Sequence, residues 1–418
     1  MNLNEPEKDS EPRAVFRWHQ AARLFAGESE IPRPHAPISK GFRALPSSPS
    51  VKDLTELGTA LAAGDSFCVS PNPLPEDASA ETTQFLTFTG GSTAEPKIIR
   101  RTKASWIASF EINAAQFNLT PQDSLAVLGE LSHSLALYGL VEGVFLGLDT
   151  HVLAGMTLQA QVSALRQNRI SVLYATPTQL RLLCKTEKDL PDLRLILCGG
   201  GALDAATASN IRKLCPDAAL HQFYGAAETS FITMTDATTP AGSQGRPYPG
   251  VSLRILDETG AETSSIGEVW VRSPYLFDGY ASNSPPIART QDGYVSVGEI
   301  GHLDPHGNLH LTGRKSRRVT IADQSVYPDA VESHLLAQPD MPPCALLPVE
   351  DGLRGLRLAA VIEGQPDATL SQTLRQSCRD AFGALATPAR VFFIEALPRL
   401  ASGKTDLAAL SKWLEDQT

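Results

Sequence analysis

Residues 82–97 read TTQFLTFTGGSTAEPK, a β-branched and aromatic run that breaks into glycines, hydroxyls and one lysine. The first seven residues have strand composition, so the loop leaves the end of a strand. Gly90 and Gly91 open backbone conformations closed to other residues and let the chain approach a ligand closely. Ser92 and Thr93 add hydroxyls. Successive N–H groups in such a turn form an anion nest, and Lys97 can bring a positive charge to the same anion. The same composition also describes an ordinary surface loop. Spacing excludes a Walker loop, which needs four residues between a glycine and a Gly-Lys-Ser/Thr triplet. Here Glu95 and Pro96 precede the lysine and Ile98 follows it.

The flanks of the loop set the fold class. Upstream, LTELGTALAAG (54–64) is helix-like and ends on Gly64, and SFCVS (66–70) reads as a short strand. Downstream, helical periodicity over 105–117, 135–145 and 159–168 alternates with the strand-like runs SLAVLG (124–129), THVLAG (150–155) and SVLYAT (171–176). PTQLRLLC (177–184) is a helix with proline in its first turn, and LRLILCGGGAL (193–203) repeats a buried strand followed by glycines. This alternation predicts an α/β architecture, a mainly parallel sheet layered with helices. Beyond residue 235 the texture changes to SLRILDETG, GEVWVRSP, GYVSVGE and GNLHLTG, short strands with tight turns that predict a small β subdomain. The basic break RKSRR then marks a boundary: 1–313 as the large domain and 314–418 as a smaller, mobile α+β domain. Residues 1–50 are the least readable. They suggest one short helix over 15–26 and a proline-rich wrapping arm.

A length of 418 residues gives room for about two to three domains, and 42% hydrophobic content supports a substantial core. Net charge is −10, from 36 basic and 46 acidic side chains, so the chain as a whole repels nucleic acid and anionic lipid. A polyanionic ligand therefore needs a local basic site. The N-terminal stretch lacks an apolar signal region, and the most apolar run, 135–148, is interrupted by Glu142. These features predict a cytoplasmic protein without a membrane span. Six cysteines without a CxxC pair fit reduced, buried thiols.

Five segments stand in order: TGGSTAEPK (89–97), CGGGAL (198–203), YGAAET (224–229), VGEIGHLDPHGNLHLTGRKSRRV (297–319) and LPRLASGKTDL (397–407). Together they resemble the acyl-adenylate-forming superfamily, which includes acyl- and aryl-CoA ligases, peptide-synthetase adenylation domains and luciferases. The resemblance covers residues from about 80 to 410, and the part ahead of it looks shortened. It implies two steps: a carboxylate attacks the α-phosphate of ATP, releasing pyrophosphate, and a thiol then displaces AMP from the acyl-AMP. The first step brings two anions together and needs concentrated positive charge and N–H donors.

By the resemblance, Thr89, Gly91, Ser92, Thr93 and Lys97 hold the β- and γ-phosphates, and Glu228 holds Mg²⁺. Gly199, Gly200, Gly201, Ala202, Tyr224, Gly225 and Ala226 wall the nucleotide and acid pockets, with Tyr224 offering a flat face to adenine. Glu299 and Arg314 take the ribose, Lys315 is the hinge, and Lys404 bridges carboxylate and α-phosphate. His133 falls where acid-activating members place an aromatic or histidine between the two pockets. Amino-acid-activating members carry an aspartate in that region, and none is present, so the resemblance implies an acid without an α-amine. Arg317 and Arg318 read either as a solvated turn or as receivers of the acceptor's phosphates. His302, His306 and His310 recur every four residues, but Asp304, Pro305 and Gly307 break any helix that could align them on a metal.

The chain departs from the family pattern at several positions. Ala227 stands for the threonine that contacts the AMP phosphate, Glu299 for an aspartate, Gly90 and Ala94 for a serine and a glycine, and Asp323 for the glycine that lets the thiol arm pass. The expected activity is an ATP- and Mg²⁺-dependent, AMP-forming ligase joining a small aryl or aliphatic acid to coenzyme A or to the phosphopantetheine thiol of an acyl carrier protein. The rival is a catalytically weakened homologue that binds nucleotide or carrier.

Overall fold

A computed structural model describes residues 14–35, 37–75, 78–88, 97–186, 188–281, 287–338, 340–351, 355–400 and 405–417. The largest sheet has nine strands in the order Arg246–Pro247, Ser230–Met234, Ala219–Ala226, Leu195–Cys198, Val172–Ala175, Ser124–Val127, Asp149–Val152, Arg23–Ala26 and Ser29–Ile31. The six strands from Ala219–Ala226 to Arg23–Ala26 are parallel, with antiparallel strands at both edges. Both faces are covered, which explains the continuous apolar runs. Leu195, Leu197, Val172 and Tyr174 point into one core, whereas Ile196, Cys198, Leu173 and Ala175 point into the other. Successive residues therefore serve opposite layers, as the strand period of two demands.

The first core is roofed by a second, mixed five-stranded sheet with the strand order Gly279–Tyr280, Ile98–Thr102, Gln84–Phe88, Ser66–Ser70, Phe42–Pro46. The helices Val51–Ala63, Lys103–Phe117 and Ser134–Leu146 pack in this layer. A third, antiparallel sheet joins Ser252–Leu256, Gly267–Arg272, Val295–Leu303 and Ala288–Arg289, with Leu309–Arg314 also paired to Val295–Leu303. This is the small β subdomain expected from the turn-rich sequence.

The wrapping arm and the helix over 15–26 are not observed in the described residues. Burial at 15–18 alternates, with Phe16 and Trp18 inside and Val15 and Arg17 outside, a period of two that no helix can satisfy. Leu24 is fully buried in Arg23–Ala26, which pairs in parallel with Asp149–Val152 and so extends the main sheet. Gly58 leaves room for the Trp18 ring, which would lie 2.3 Å from a Cβ at that position. The proline-rich passage is tied down by buried Asp65. Its carboxylate accepts from Ser39 Oγ, from the Lys40 and Gly41 N–H groups and from Arg43 Nε. Burial pushes the Asp65 carboxyl up, but these bonds outweigh it and hold it below its ordinary range.

From residue 319 onward the apolar clusters contain no residue of the preceding sheets. They cover both faces of a three-stranded sheet, Cys344–Asp351, Gly355–Glu363 and Arg390–Ile394, with helices Pro328–Leu336, Ala368–Phe382 and Leu407–Glu415. Among the described residues no helix is long and apolar enough to cross a membrane.

Candidate active site

Parallel strands all end on one edge, and their carboxyl ends deliver most of the expected residues there. Val127 leads through residues 128–132 to His133, which caps Ser134–Leu146 with its backbone and is half-buried. Cys198 leads to Gly199–Gly201, where Gly200 has φ +87°. A Cβ on Gly199 would lie 2.2 Å from the Phe223 ring, so the aromatic side chain excludes any larger residue at 199. Ala219–Ala226 ends in the turn that carries Glu228. Gly225 sits at a register shift against Ser230–Met234, and its Cβ would meet the Ser230 carbonyl at 2.0 Å. Tyr224, Gly225 and Ala226 therefore reach the edge as the final residues of a strand.

The opening loop's own residues Thr89, Gly90, Gly91, Ser92, Thr93 and Ala94 lie outside the described residues, as does Lys404. The structure does place both flanks of the loop. Phe88 forms an isolated parallel bridge with His133 on one side. On the other, Lys97 Nζ lies 4.9 Å from the centre of the Tyr280 ring, and the Tyr280 hydroxyl donates to Glu228 Oε1 at 3.0 Å. Burial and the adjacent Glu228 push the Tyr280 hydroxyl's pKa up, which keeps it a donor. The two described flanks of the loop thus stand at His133 and at the Lys97–Tyr280–Glu228 chain. Tyr280 carried no signal in the sequence; it reaches Glu228 from a two-residue edge strand, Gly279–Tyr280, paired to Ile98–Thr102.

Glu299 and Arg314 are cross-strand partners, with Arg314 Nε 3.4 Å from Glu299 Oε1. Tyr224 faces this pair. Burial pushes its hydroxyl well up, Glu299 adds to the shift, Arg314 opposes it, and Glu228 contributes least. The Tyr224 oxygen is buried without a hydrogen-bond partner among the described residues, a polar atom awaiting a ligand donor or acceptor. Glu228 is half-buried and accepts from the Tyr280 hydroxyl on Oε1. A half-buried carboxylate of this kind fits Mg²⁺, which takes one or two carboxylates and draws its other ligands from water and substrate phosphates.

The remaining sequence candidates have structural occupations. Lys315 Nζ pairs with Glu268 Oε2 at 2.9 Å. Arg317 is neither solvated nor free for a phosphate. It is clamped by Asp329 at 2.6 Å, by both oxygens of Glu332 at 2.8 Å and by the Leu346 carbonyl. Arg318 pairs with exposed Glu258. His302 and His310 stack face to face across paired strands, 5.1 Å apart, and His306 lies in the intervening turn. No group of three or more potential metal-binding side chains occurs among the described residues.

The family model for AMP-binding enzymes matches residues 4–281, and that for their C-terminal domain matches 330–404. The chain belongs to the AMP-binding enzymes. The match also extends the family likeness into the first 50 residues, which the motifs alone left out. An uncharacterized acyl-CoA ligase of Bacillus subtilis is 30% identical over 82% of this chain and 71% of its own length. A 2-succinylbenzoate–CoA ligase of Enterococcus faecalis is 24% identical over 80% of this chain and 70% of its own. Among solved structures, ATP-bound MatB from Rhodopseudomonas palustris superimposes with a TM-score of 0.77 at 19% identity, covering 98% of this chain and 97% of that one. The o-succinylbenzoate CoA synthetase of Bacillus subtilis, in complex with its acyl-adenylate, gives 0.75 at 22% over 88% and 87%. These two likenesses speak for the fold: a large sheet-rich domain followed by a smaller one. In class, the chain is an AMP-forming acid–thiol ligase that works with ATP and Mg²⁺.

Proposed function

We propose that the chain adenylates a carboxylic acid lacking an α-amine, aryl or aliphatic, and transfers the acyl group to coenzyme A. A carrier-protein phosphopantetheine is the second acceptor to test. The observation that carries this reading is the meeting of Lys97, Tyr280 and Glu228 at one end of the phosphate loop, with His133 at the other. In this arrangement Lys97 would balance phosphate charge, and Glu228, oriented by the Tyr280 hydroxyl, would hold Mg²⁺, which would supply positive charge for the pyrophosphate leaving group. Tyr224 flanks adenine, and the Glu299–Arg314 pair receives the ribose. The glycine turn at 199–201, the Phe223 ring and His133 wall the acid, and their largely apolar, charge-poor surface suits a carboxylate without an ammonium group.

The reading divides the work between residues 1–313, which bind ATP and acid, and 314–418, which swing about Lys315 and bring Lys404 to the α-phosphate. Lys404 stabilises charge in the transition state and takes no proton. ATP–pyrophosphate exchange across a panel of aryl, aliphatic and α-amino acids tests the proposal. Exchange with at least one acid of the first two groups and none with the third is expected. Measurable ATP binding without exchange for any acid would show a binding protein instead. Product analysis with coenzyme A and with loaded carrier protein then identifies the acceptor.

A further inference from the structure

Arg101 lies on Ile98–Thr102, four residues beyond Lys97, and its side chain is among the largest that are fully buried. It makes no ion pair among the described residues. Its NH1 group donates to the Ala227 carbonyl at 2.5 Å. Its NH2 group donates to Ser230 Oγ at 2.7 Å, to the Tyr275 carbonyl and, more weakly, to Ser105 Oγ at 3.4 Å, while Nε has no acceptor among the described residues. Burial pulls its pKa down to about 10, with the charges of Glu228 and Asp278 acting in the opposite direction.

Burying a guanidinium without a contacting carboxylate is costly, and an apolar side chain of similar volume would pack in the same place without that penalty. What the arginine achieves is visible in its acceptors. Ala227 and Ser230 bracket Glu228, and Tyr275 begins the segment that ends in Tyr280, the residue that orients Glu228. The same segment is sewn to the arginine's strand by Asp278 N–H to the Arg100 carbonyl, and to the Glu228 turn by Phe277 N–H to the Glu228 carbonyl. The side chain of Ala227 offers no hydrogen bond, yet its main chain is held by this guanidinium.

We infer that Arg101 is a positioning residue for the magnesium–phosphate corner. It locks the turn carrying Glu228 and the segment carrying Tyr280 to the strand that leaves Lys97, so the metal carboxylate and the phosphate lysine keep a fixed separation. The inference rests on the proposed role of Glu228.

Arg101→Lys keeps the charge and loses the planar fork that reaches four acceptors at once. The test is the dissociation constant for ATP, with Mg²⁺ and with chelator, and for AMP, by titration calorimetry on the full chain, alongside thermal unfolding and pyrophosphate exchange. The variant should lose most of the tightening that Mg²⁺ gives to ATP binding, keep AMP binding, and exchange roughly a hundredfold more slowly through misplacement of the reacting groups. Ser230→Ala, which removes one acceptor and leaves the buried charge, should shift the same ratio by a smaller factor and stands in if Arg101→Lys fails to fold. An unchanged Mg²⁺ effect on ATP binding in the folded variants, with only the melting temperature lowered, would reduce Arg101 to packing. The binding ratio is read without turnover. If the wild type exchanges with no acid yet shows the ratio and Arg101→Lys abolishes it, the activity reading fails and this inference stands.

Discussion

Glu142 shows at the level of one residue why an apolar helix tolerates a carboxyl. Fully buried in Ser134–Leu146, it accepts from Tyr174 Oη at 2.5 Å, Asn113 Nδ2 at 2.8 Å and Tyr138 Oη at 3.4 Å. Burial pushes its pKa up to about 7, against these bonds, which favour the charged form. A carboxyl whose folded pKa lies above its unfolded one adds stability that is complete below the unfolded value and is lost as pH rises through the folded value. Urea unfolding should therefore show stability falling between about pH 4.5 and 7 by up to the order of 3 kcal/mol. That fall should be absent from the pH profile of Glu142→Gln; parallel profiles would show that Glu142 does not titrate in this window. In the sequence Glu142 was visible only as an interruption, because its two closest partners come from another helix and a distant strand. The same reason hid Tyr280, whose contact with Glu228 spans 52 residues, and Arg101, whose contact with Tyr275 spans 174. Glu228 and Lys97 were legible as candidates because each sits in a compact motif whose residues are neighbours in the chain.

At the level of elements, the turn between Val319–Ile321 and Gln324–Val326 holds two non-glycine residues in the left-handed region. Ala322 and Asp323 both have positive φ, 48° and 61°, the conformation of a two-residue hairpin turn that favours Asn-Gly or Gly-Gly. Asp323 thus occupies a position where glycine is suited on backbone grounds alone. Asp323→Gly should stabilise the protein or leave it unchanged, within about 1 kcal/mol. It should also speed thioester formation from supplied acyl-AMP without altering pyrophosphate exchange. A clear loss of stability in urea unfolding, or a slower thiol step, would contradict this account. The alternating strands and helices from 51 to 203 were legible because period, caps and glycine stops agree there; Ser50, Thr102, Thr157 and Thr176 all cap helices with their side chains. Residues 15–26 were misread because Phe16 and Trp18, two positions apart, suit an extended segment, while Arg17 and Arg23 imitated the polar face of an amphipathic helix.

At the level of the whole molecule, the proposed boundary is crossed by polar contacts rather than by an apolar core. Lys315 meets Glu268, Arg318 meets Glu258, and Arg314 meets Glu299. The first pair is more than half exposed on its lysine side, so it adds at most about 1 kcal/mol. Lys315→Ala should leave the melting temperature nearly unchanged and shift the ratio of adenylation to thiol-transfer rates; an unaltered ratio would remove Lys315 as the hinge. The order of the five motifs made the two-part chemistry legible, whereas the pairing of the parts was not, since the contacts that join them are single ion pairs between residues far apart in sequence. The most direct test of the central claim is to measure the two half-reactions separately in Lys404→Ala. Pyrophosphate exchange should fall by about 10²–10³-fold, the scale of losing one preorganised charge donor, while acyl transfer from supplied acyl-AMP to thiol is retained. Exchange at near wild-type rate in that variant would contradict the account.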